Sequence, residues 1–241
     1  MLHSTRGIVF HTVKYSETSL IAKIYTELFG LQSYLIRGIR KQKSKIRPVL
    51  LQHLTLVDLV VYHKEKSNLQ TIKEIQIAIP YKSIPFDIRK SSLALFINEL
   101  LYKSIREEET NRKLFDFIWG SCEYLDDTTH SIHYFHLWFM VHLTAFLGFI
   151  PQMNYSEQKK IFNMKEGVFQ ETPPGHEYFM DERSGAFFYQ LFTLPNEKDI
   201  LLNFPLEERN IMVEKILQYY QIHLPGFTGL RAHHILHTVL G

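Results

Sequence analysis

The stretch Ser19-Leu20-Ile21-Ala22-Lys23-Ile24-Tyr25-Thr26-Glu27-Leu28 alternates with a period of two. Leu20, Ala22, Ile24 and Leu28 fall on one face and Lys23, Tyr25 and Glu27 on the other, the pattern of a strand with one side in a core. Similar runs occupy residues 7–14, 31–37, 54–63 and 69–79. They are rich in Ile, Val, Tyr and Thr, which suit a pleated, half-buried surface. Phe29-Gly30 predicts a hairpin turn between the second and third runs, and Ser67-Asn68 one between the fourth and fifth. Five short strands, tightly turned except for one longer connection, fit a small five-stranded barrel of the OB type. Strand spacing leaves a Tudor- or SH3-like barrel open.

From Pro85 onward the period becomes helical. Residues 91–106 place Leu93, Phe96, Ile97, Leu100, Leu101 and Ile105 at steps of three and four, a helix with one apolar face. Thr110-Asn111 predicts a cap for a helix over 112–124. Residues 132–147 are apolar almost all round, which predicts a central buried helix that stops at Gly148, with Pro151 beyond. Residues 151–187, with Pro173-Pro174-Gly175, Gly167 and Gly185, read as an irregular insertion containing a small hairpin. Helices resume over 185–193, 206–223 and 228–240. The fold class is therefore α+β. An N-terminal OB-type barrel (1–80) precedes an α-helical domain (81–241) that carries the insertion, with a linker near Pro80–Pro85.

A chain of 241 residues with 45% hydrophobic and 22% charged residues can bury a sizeable core and is not of a disordered type. A lone Cys122 excludes an intramolecular disulfide and a cysteine-based zinc cluster. No apolar run approaches the roughly 18 residues of a membrane span, and the N-terminus lacks the pattern of a signal peptide. A soluble cytoplasmic protein that does not meet a membrane is the expectation. Charge is uneven. Residues 1–80 hold 12 Lys/Arg against 5 Asp/Glu, a net of +7, and residues 81–241 hold 15 against 20, a net of −5. Such asymmetry points to a polyanionic partner for the first segment.

The densest signal is Arg37-Gly38-Ile39-Arg40-Lys41-Gln42-Lys43-Ser44-Lys45-Ile46-Arg47-Pro48, six cations within residues 37–47 and no acid among them. It lies in the longer connection of the barrel, between the third and fourth strands. Cations at that density repel one another, so phosphates are the natural counter-charge. Arg37, Arg40, Lys41, Lys43, Lys45 and Arg47 are the candidate nucleic-acid-binding residues, with Lys14 and Lys23 as weaker ones. Gly38 would let the chain turn sharply out of its strand. Tyr25 and Tyr34 share strand faces with Lys23 and Gln32. They are candidates for stacking on single-stranded bases, with packing beneath the helical domain as the other reading.

Histidine occurs thirteen times. His130, His133 and His136 recur every three residues, and His233 and His237 stand four apart, a spacing that can share a metal. Neither set has an Asp or Glu at matching helical spacing, and His-Glu-x-x-His is absent. Polar edges of buried helices account for them better than a metal hydrolase does. Phosphate-loop, dinucleotide and nucleophile-elbow motifs are also absent, so no catalytic residue, metal ligand or cofactor is nominated. The expectation is a binding protein rather than an enzyme. An RNA-binding barrel or a protein-docking OB-fold adaptor without an annealing role is the alternative, since RNA presents the same phosphates.

Several segments resemble the bacterial recombination mediator family RecO. Gly7-Ile8-Val9 followed by Tyr15-Ser16-Glu17-Thr18-Ser19 is similar to the family's first strand and turn. Arg37-Gly38-Ile39-Arg40-Lys41-Gln42-Lys43-Ser44 resembles its Lys-Gly-x-Arg-Arg-x-Lys-Ser loop, and Leu51-Gln52-His53-Leu54 its entry to the fourth strand. Asn111, Leu114-Phe115 and Leu147-Gly148-Phe149-Ile150-Pro151 resemble its helical landmarks. The resemblance implies an OB-fold followed by a helical domain. It also implies binding of single- and double-stranded DNA, annealing of complementary strands, and loading of the RecA recombinase in the RecF pathway. The partners it implies are RecR and the acidic, Phe-ended C-terminal tail of the single-stranded-DNA-binding protein, with RecA met indirectly and the nucleoid occupied when DNA is bound. Many members carry paired Cys-x-x-Cys motifs after the Gly-Phe-x-Pro corner. Residues 151–187 here contain no cysteine, so no structural zinc is expected. Phe162, Val168, Phe169, Tyr178, Phe179 and Phe187 are expected to hold the insertion instead.

Overall fold

A computed structural model describes residues 1–39, 46–65, 67–106, 109–194 and 204–239. The chain forms two compact units, Met1–Asp127 and Thr128–Gly241. The first contains five antiparallel strands, β1 (Leu2–Lys14), β2 (Leu20–Thr26), β3 (Gly30–Ile36), β4 (Leu56–Tyr62) and β5 (Thr71–Ile77), then helices α1 (Ile88–Ser104) and α2 (Arg112–Asp127). The sheet order is β3-β2-β1-β4-β5. The long β1 serves both halves: Gly7–Lys14 pairs with β2, and Leu2–Ile8 pairs with β4. The five expected strands are present, and β1 begins five residues earlier than the periodicity indicates. Its start, His3-Ser4-Thr5-Arg6, lacks apolar alternation and is held by pairing with β4.

Inward residues of all five strands, among them Val9, Ala22, Ile24, Tyr34, Ile36, Leu59, Val61 and Ile72, form one core. Gly7 leaves room for the side chains of its cross-strand neighbours. A Cβ there would lie 2.8 Å from both Ile24 Cγ2 and Leu59 Cδ1. A bulge between Val9 and His11 inserts Phe10 on the opposite side from Val9, and both are fully buried. The ladder does not close all the way round. Its edges meet at one isolated parallel bridge, Tyr34 to Gln70, with Gln70 N donating to Ser33 O at 2.8 Å and Leu35 N to Gln70 O at 3.0 Å. The Gln70 side chain is committed to its own loop, bonding Lys64 N, Lys64 O and Ser67 O at 2.7–2.9 Å. The OB-type topology stands, with a seam in place of a continuous ring.

The segment expected to be a linker is held down. Asp126 near the end of α2 accepts the backbone N–H groups of Lys82 (2.8 Å), Ser83 (2.9 Å) and Ile84 (2.9 Å). The buried Lys90 ammonium donates to Asp126 O (2.8 Å) and Ser83 Oγ (2.7 Å). Asp87 caps α1 by accepting from Arg89 N, and Asn111 caps α2 by accepting from Leu114 N at 3.0 Å.

The second unit is built on α3 (Phe135–Phe146), with eight of its twelve residues buried. Gly148 (φ 85°) follows it. The expected irregular insertion is a small antiparallel sheet, β6 (Ile161–Asn163), β7 (Val168–Gln170) and β8 (Phe179–Met180), in the order β7-β6-β8. Helices α4 (Glu182–Thr193), α5 (Leu206–His223) and α6 (His233–Val239) complete the unit. α4 starts three residues ahead of expectation because Asp181 accepts from Ser184 N at 2.8 Å. Phe162 is fully buried among Phe169, Phe188 and Tyr219, with ring centroids 4.7–5.5 Å apart. Of the six residues expected to hold the insertion, Phe162, Phe169 and Phe187 are buried, and Val168, Tyr178 and Phe179 are half-buried.

Candidate nucleic-acid interface

The basic connection leaves β3 at Arg37, which is exposed, and turns at Gly38, whose φ of 69° lies in the left-handed region that favours glycine. Ile39 then drops into the barrel core at 6% exposure, and its N–H donates to Thr18 O in the β1–β2 loop at 3.0 Å. At the far end Ile46 packs against the same core, exposed Arg47 follows, and Pro48–Leu51 forms a 3-10 turn with Leu51 buried. Both ends are therefore pinned to the barrel by apolar side chains. Arg40, Lys41, Lys43 and Lys45 lie outside the described residues. Lys14 is exposed at the end of β1. A depression of about 100 Å³ between Lys14, Ser16, Glu17, Ser19, Leu20 and Ile39 joins the β1–β2 loop to the foot of the connection. Lys23 is half-buried, its ammonium 5.9 Å above the Tyr102 ring.

Tyr25 and Tyr34 do not present faces to bases, which corrects the stacking role weighed for them. Tyr25 is 1% exposed, stacked on Phe10 at 5.7 Å, with its hydroxyl donating to Asn111 O. Tyr34 is 0% exposed inside the barrel, opposite the small Ala22. Its neighbour Gln32 misleads, because Gln32 is itself buried and donates to Phe29 O at 2.7 Å. The exposed aromatic at this end of the sheet is instead Tyr15, 60% exposed beside Lys14. Its loop is tightly turned, with Tyr15 N and Ser16 N both donating to Ser19 O.

The outer face of β1, β4 and β5 has the opposite character. A groove of about 790 Å³ there is lined by Glu27, Asp58, Glu74 and Arg6. Arg6 is committed to Glu27 (2.8 Å) and Asp116 (3.3 Å), and it lies over the Trp119 ring at 4.8 Å. Arg112 also pairs with Glu27 and with Asp116. The hydrogen bond from Arg6 holds the Glu27 carboxyl below its ordinary range. Among the described candidate cations, Lys14, Arg37 and Arg47 are exposed.

Comparison with known proteins places this sequence in a family. The model for the recombination protein O N-terminal region matches residues 1–81, and that for its C-terminal region matches residues 85–158. The chain belongs to the RecO family. The DNA repair protein RecO of Bacteroides fragilis is 35% identical over 237 residues, covering 98% of each chain. Those of Flavobacterium psychrophilum (34%, 98% of each) and Azobacteroides pseudotrichonymphae (32%, 99% of each) are similarly related. The first RecO model ends at residue 81, just before the N–H groups that Asp126 holds, and the second stops before β6. The zinc that the resemblance associates with some RecO members has no thiolate donors here. Cys122 is the only cysteine, it is buried, and burial pushes its thiol up to about 12. Phenyl rings occupy the heart of the small sheet. His136 is buried while His130 and His133 are exposed. His233 pairs with Glu214 at 3.3 Å, and the His237 side chain lies outside the description. Among the described residues no helix is long and apolar enough to cross a membrane.

Proposed function

We propose that this RecO-family chain is a DNA repair protein that works by binding rather than by covalent catalysis. It holds single- and double-stranded DNA, anneals complementary strands, and helps load RecA onto strands coated by the single-stranded-DNA-binding protein. RecR and the acidic tail of that coating protein are its proposed partners, and it works in the cytoplasm, on the nucleoid when DNA is bound. Residues 1–80 are the proposed DNA-binding domain and residues 81–241 the proposed helical domain, whose first two helices, α1 and α2, lie in the same compact unit as the strands. The observation that carries the reading is the acid-free run of six cations over residues 37–47, rooted in the barrel core through Ile39 and Ile46 beside Lys14.

The physical basis is charge neutralisation. Two complementary strands repel each other through their phosphates, and a protein that neutralises several of them lowers that barrier without making or breaking a covalent bond. Arg37, Arg40, Lys41, Lys43, Lys45 and Arg47 supply the neutralising charge, with Lys14 and Lys23 at the margin. The names of the relatives, all DNA repair proteins, favour DNA over RNA as the polyanion. A fluorescence-quenching assay with complementary oligonucleotides tests the reading. The full chain is expected to accelerate annealing severalfold in moderate salt, and Arg40→Ala/Lys41→Ala/Lys43→Ala to lose most of that acceleration. A wild-type protein that binds DNA but leaves the annealing rate unchanged refutes the annealing role.

A further inference from the structure

The bulge at Phe10 sets His11 on the outer face of the sheet, directly opposite Lys23 on β2. From the segment after the 3-10 turn, His53 stacks its imidazole 6.1 Å from that of His11, with 16° between the planes. From α1, the Tyr102 ring lies 4.7 Å from His11 and also beneath the Lys23 ammonium. His53 is exposed, and His11, Lys23 and Tyr102 are half-buried. Two imidazoles and an ammonium therefore converge beside a phenol, and Lys14 lies three residues further along β1. The charged groups acting on His11 are His53 and Lys23, both of the cationic kind. On α1 the neighbouring positions carry the Glu99–Lys103 ion pair, closed at 2.9 Å.

Resting on the DNA-binding reading above, we infer that His11, His53 and Lys23 form a proton-linked seat for a backbone phosphate of nucleic acid. The cluster offers nitrogen donors from three elements. Burial, then the nearby His53 and Lys23, hold the His11 imidazole below its ordinary value and so favour its neutral form. A phosphate entering the cluster reverses that balance, because an adjacent anion favours the protonated ring. Binding then takes up a proton, and affinity rises as pH falls.

The probe is a dye-labelled oligothymidylate, whose bases do not titrate between pH 5.5 and 7.5, followed by fluorescence anisotropy at fixed ionic strength. The wild-type chain is expected to bind about tenfold more tightly at pH 5.5 than at pH 7.5, within the roughly hundredfold that one fully linked proton could give over two pH units. His11→Gln should lose most of that increment, and the exposed His53→Gln, which disturbs no core, should lose part of it. His130→Gln, in the other unit, should keep it. An increment in both His11→Gln and His53→Gln equal to that of wild type overturns the seat. Wild-type binding at pH 7.5 reports on the parent reading, and its absence at every pH removes both. Inorganic phosphate at millimolar concentration separates two sources of the same chemistry. If it abolishes the increment while oligonucleotide binding persists, the seat prefers free phosphate and its role in nucleic-acid binding is overturned.

Discussion

Three tyrosines of the barrel have three environments, set by register rather than by residue type. Tyr34 opposes Ala22 across β2–β3, Tyr25 lies under Asn111, and Tyr15 stands in solvent. Stacking of an aromatic on a base contributes about 1–3 kcal/mol. Tyr15→Ala is therefore expected to weaken single-stranded DNA binding by about tenfold and to leave the melting temperature unchanged. Tyr34→Ala, which empties a buried site, should cost about 3 kcal/mol of stability, visible as a lower urea midpoint. Strong DNA weakening by Tyr34→Ala at unchanged stability would reverse this assignment. The sequence carried part of the distinction. The apolar face of β2 was readable from Leu20, Ala22 and Ile24, and a large ring opposite a small Ala is a cross-strand complement. The polar neighbour Gln32 hid it, because its hydrogen bond to Phe29 O makes an amide acceptable inside the barrel.

Elements bounded by local signals were legible. α5 spans 206–223 as expected, and Asn111 caps α2. Elements fixed by distant partners were not. Pro80–Pro85 has the composition of a linker, yet its N–H groups are gathered by a carboxylate more than forty residues later. The seam of the barrel depends on a bridge between Tyr34 and Gln70 that no period announces. Burial pushes the Asp126 carboxyl upward, and the N–H groups of Lys82, Ile84 and Ser83 outweigh it, so its value lies below the ordinary 3.8. A depressed carboxyl contributes stability above its unfolded value, and that contribution is lost as pH falls through the folded one. Asp126→Asn should therefore cost about 1–3 kcal/mol at pH 7, measured by urea unfolding. The gap from wild type should narrow below pH 4. A gap that is constant down to pH 2 would show that charge has no part in this contact.

On acidification, three histidines and two carboxyls pull in one direction. Burial holds His11, His63 and His142 below the ordinary histidine value of 6.5, and Glu27 and Asp126 are held below the carboxylate range. In each case the unfolded chain takes up a proton first as pH falls, so stability declines. The melting temperature should be highest near neutrality, fall from pH 7 to 5 as the histidines charge, and fall again below pH 4. A midpoint that rises on acidification would contradict these environments. The segregation of charge was readable from the counts in residues 1–80 and 81–241. Its placement was not, since the acidic groove of Glu27, Asp58 and Glu74 also belongs to the basic segment. That the basic connection is the DNA contact is the claim on which the rest depends, and the salt dependence of single-stranded DNA affinity tests it most directly. With about four phosphates neutralised, log K should fall against log salt with a slope near −3, and Arg40→Ala/Lys41→Ala/Lys43→Ala should bring it to about −1. A triple variant with the wild-type slope would contradict the account and put the DNA on another surface.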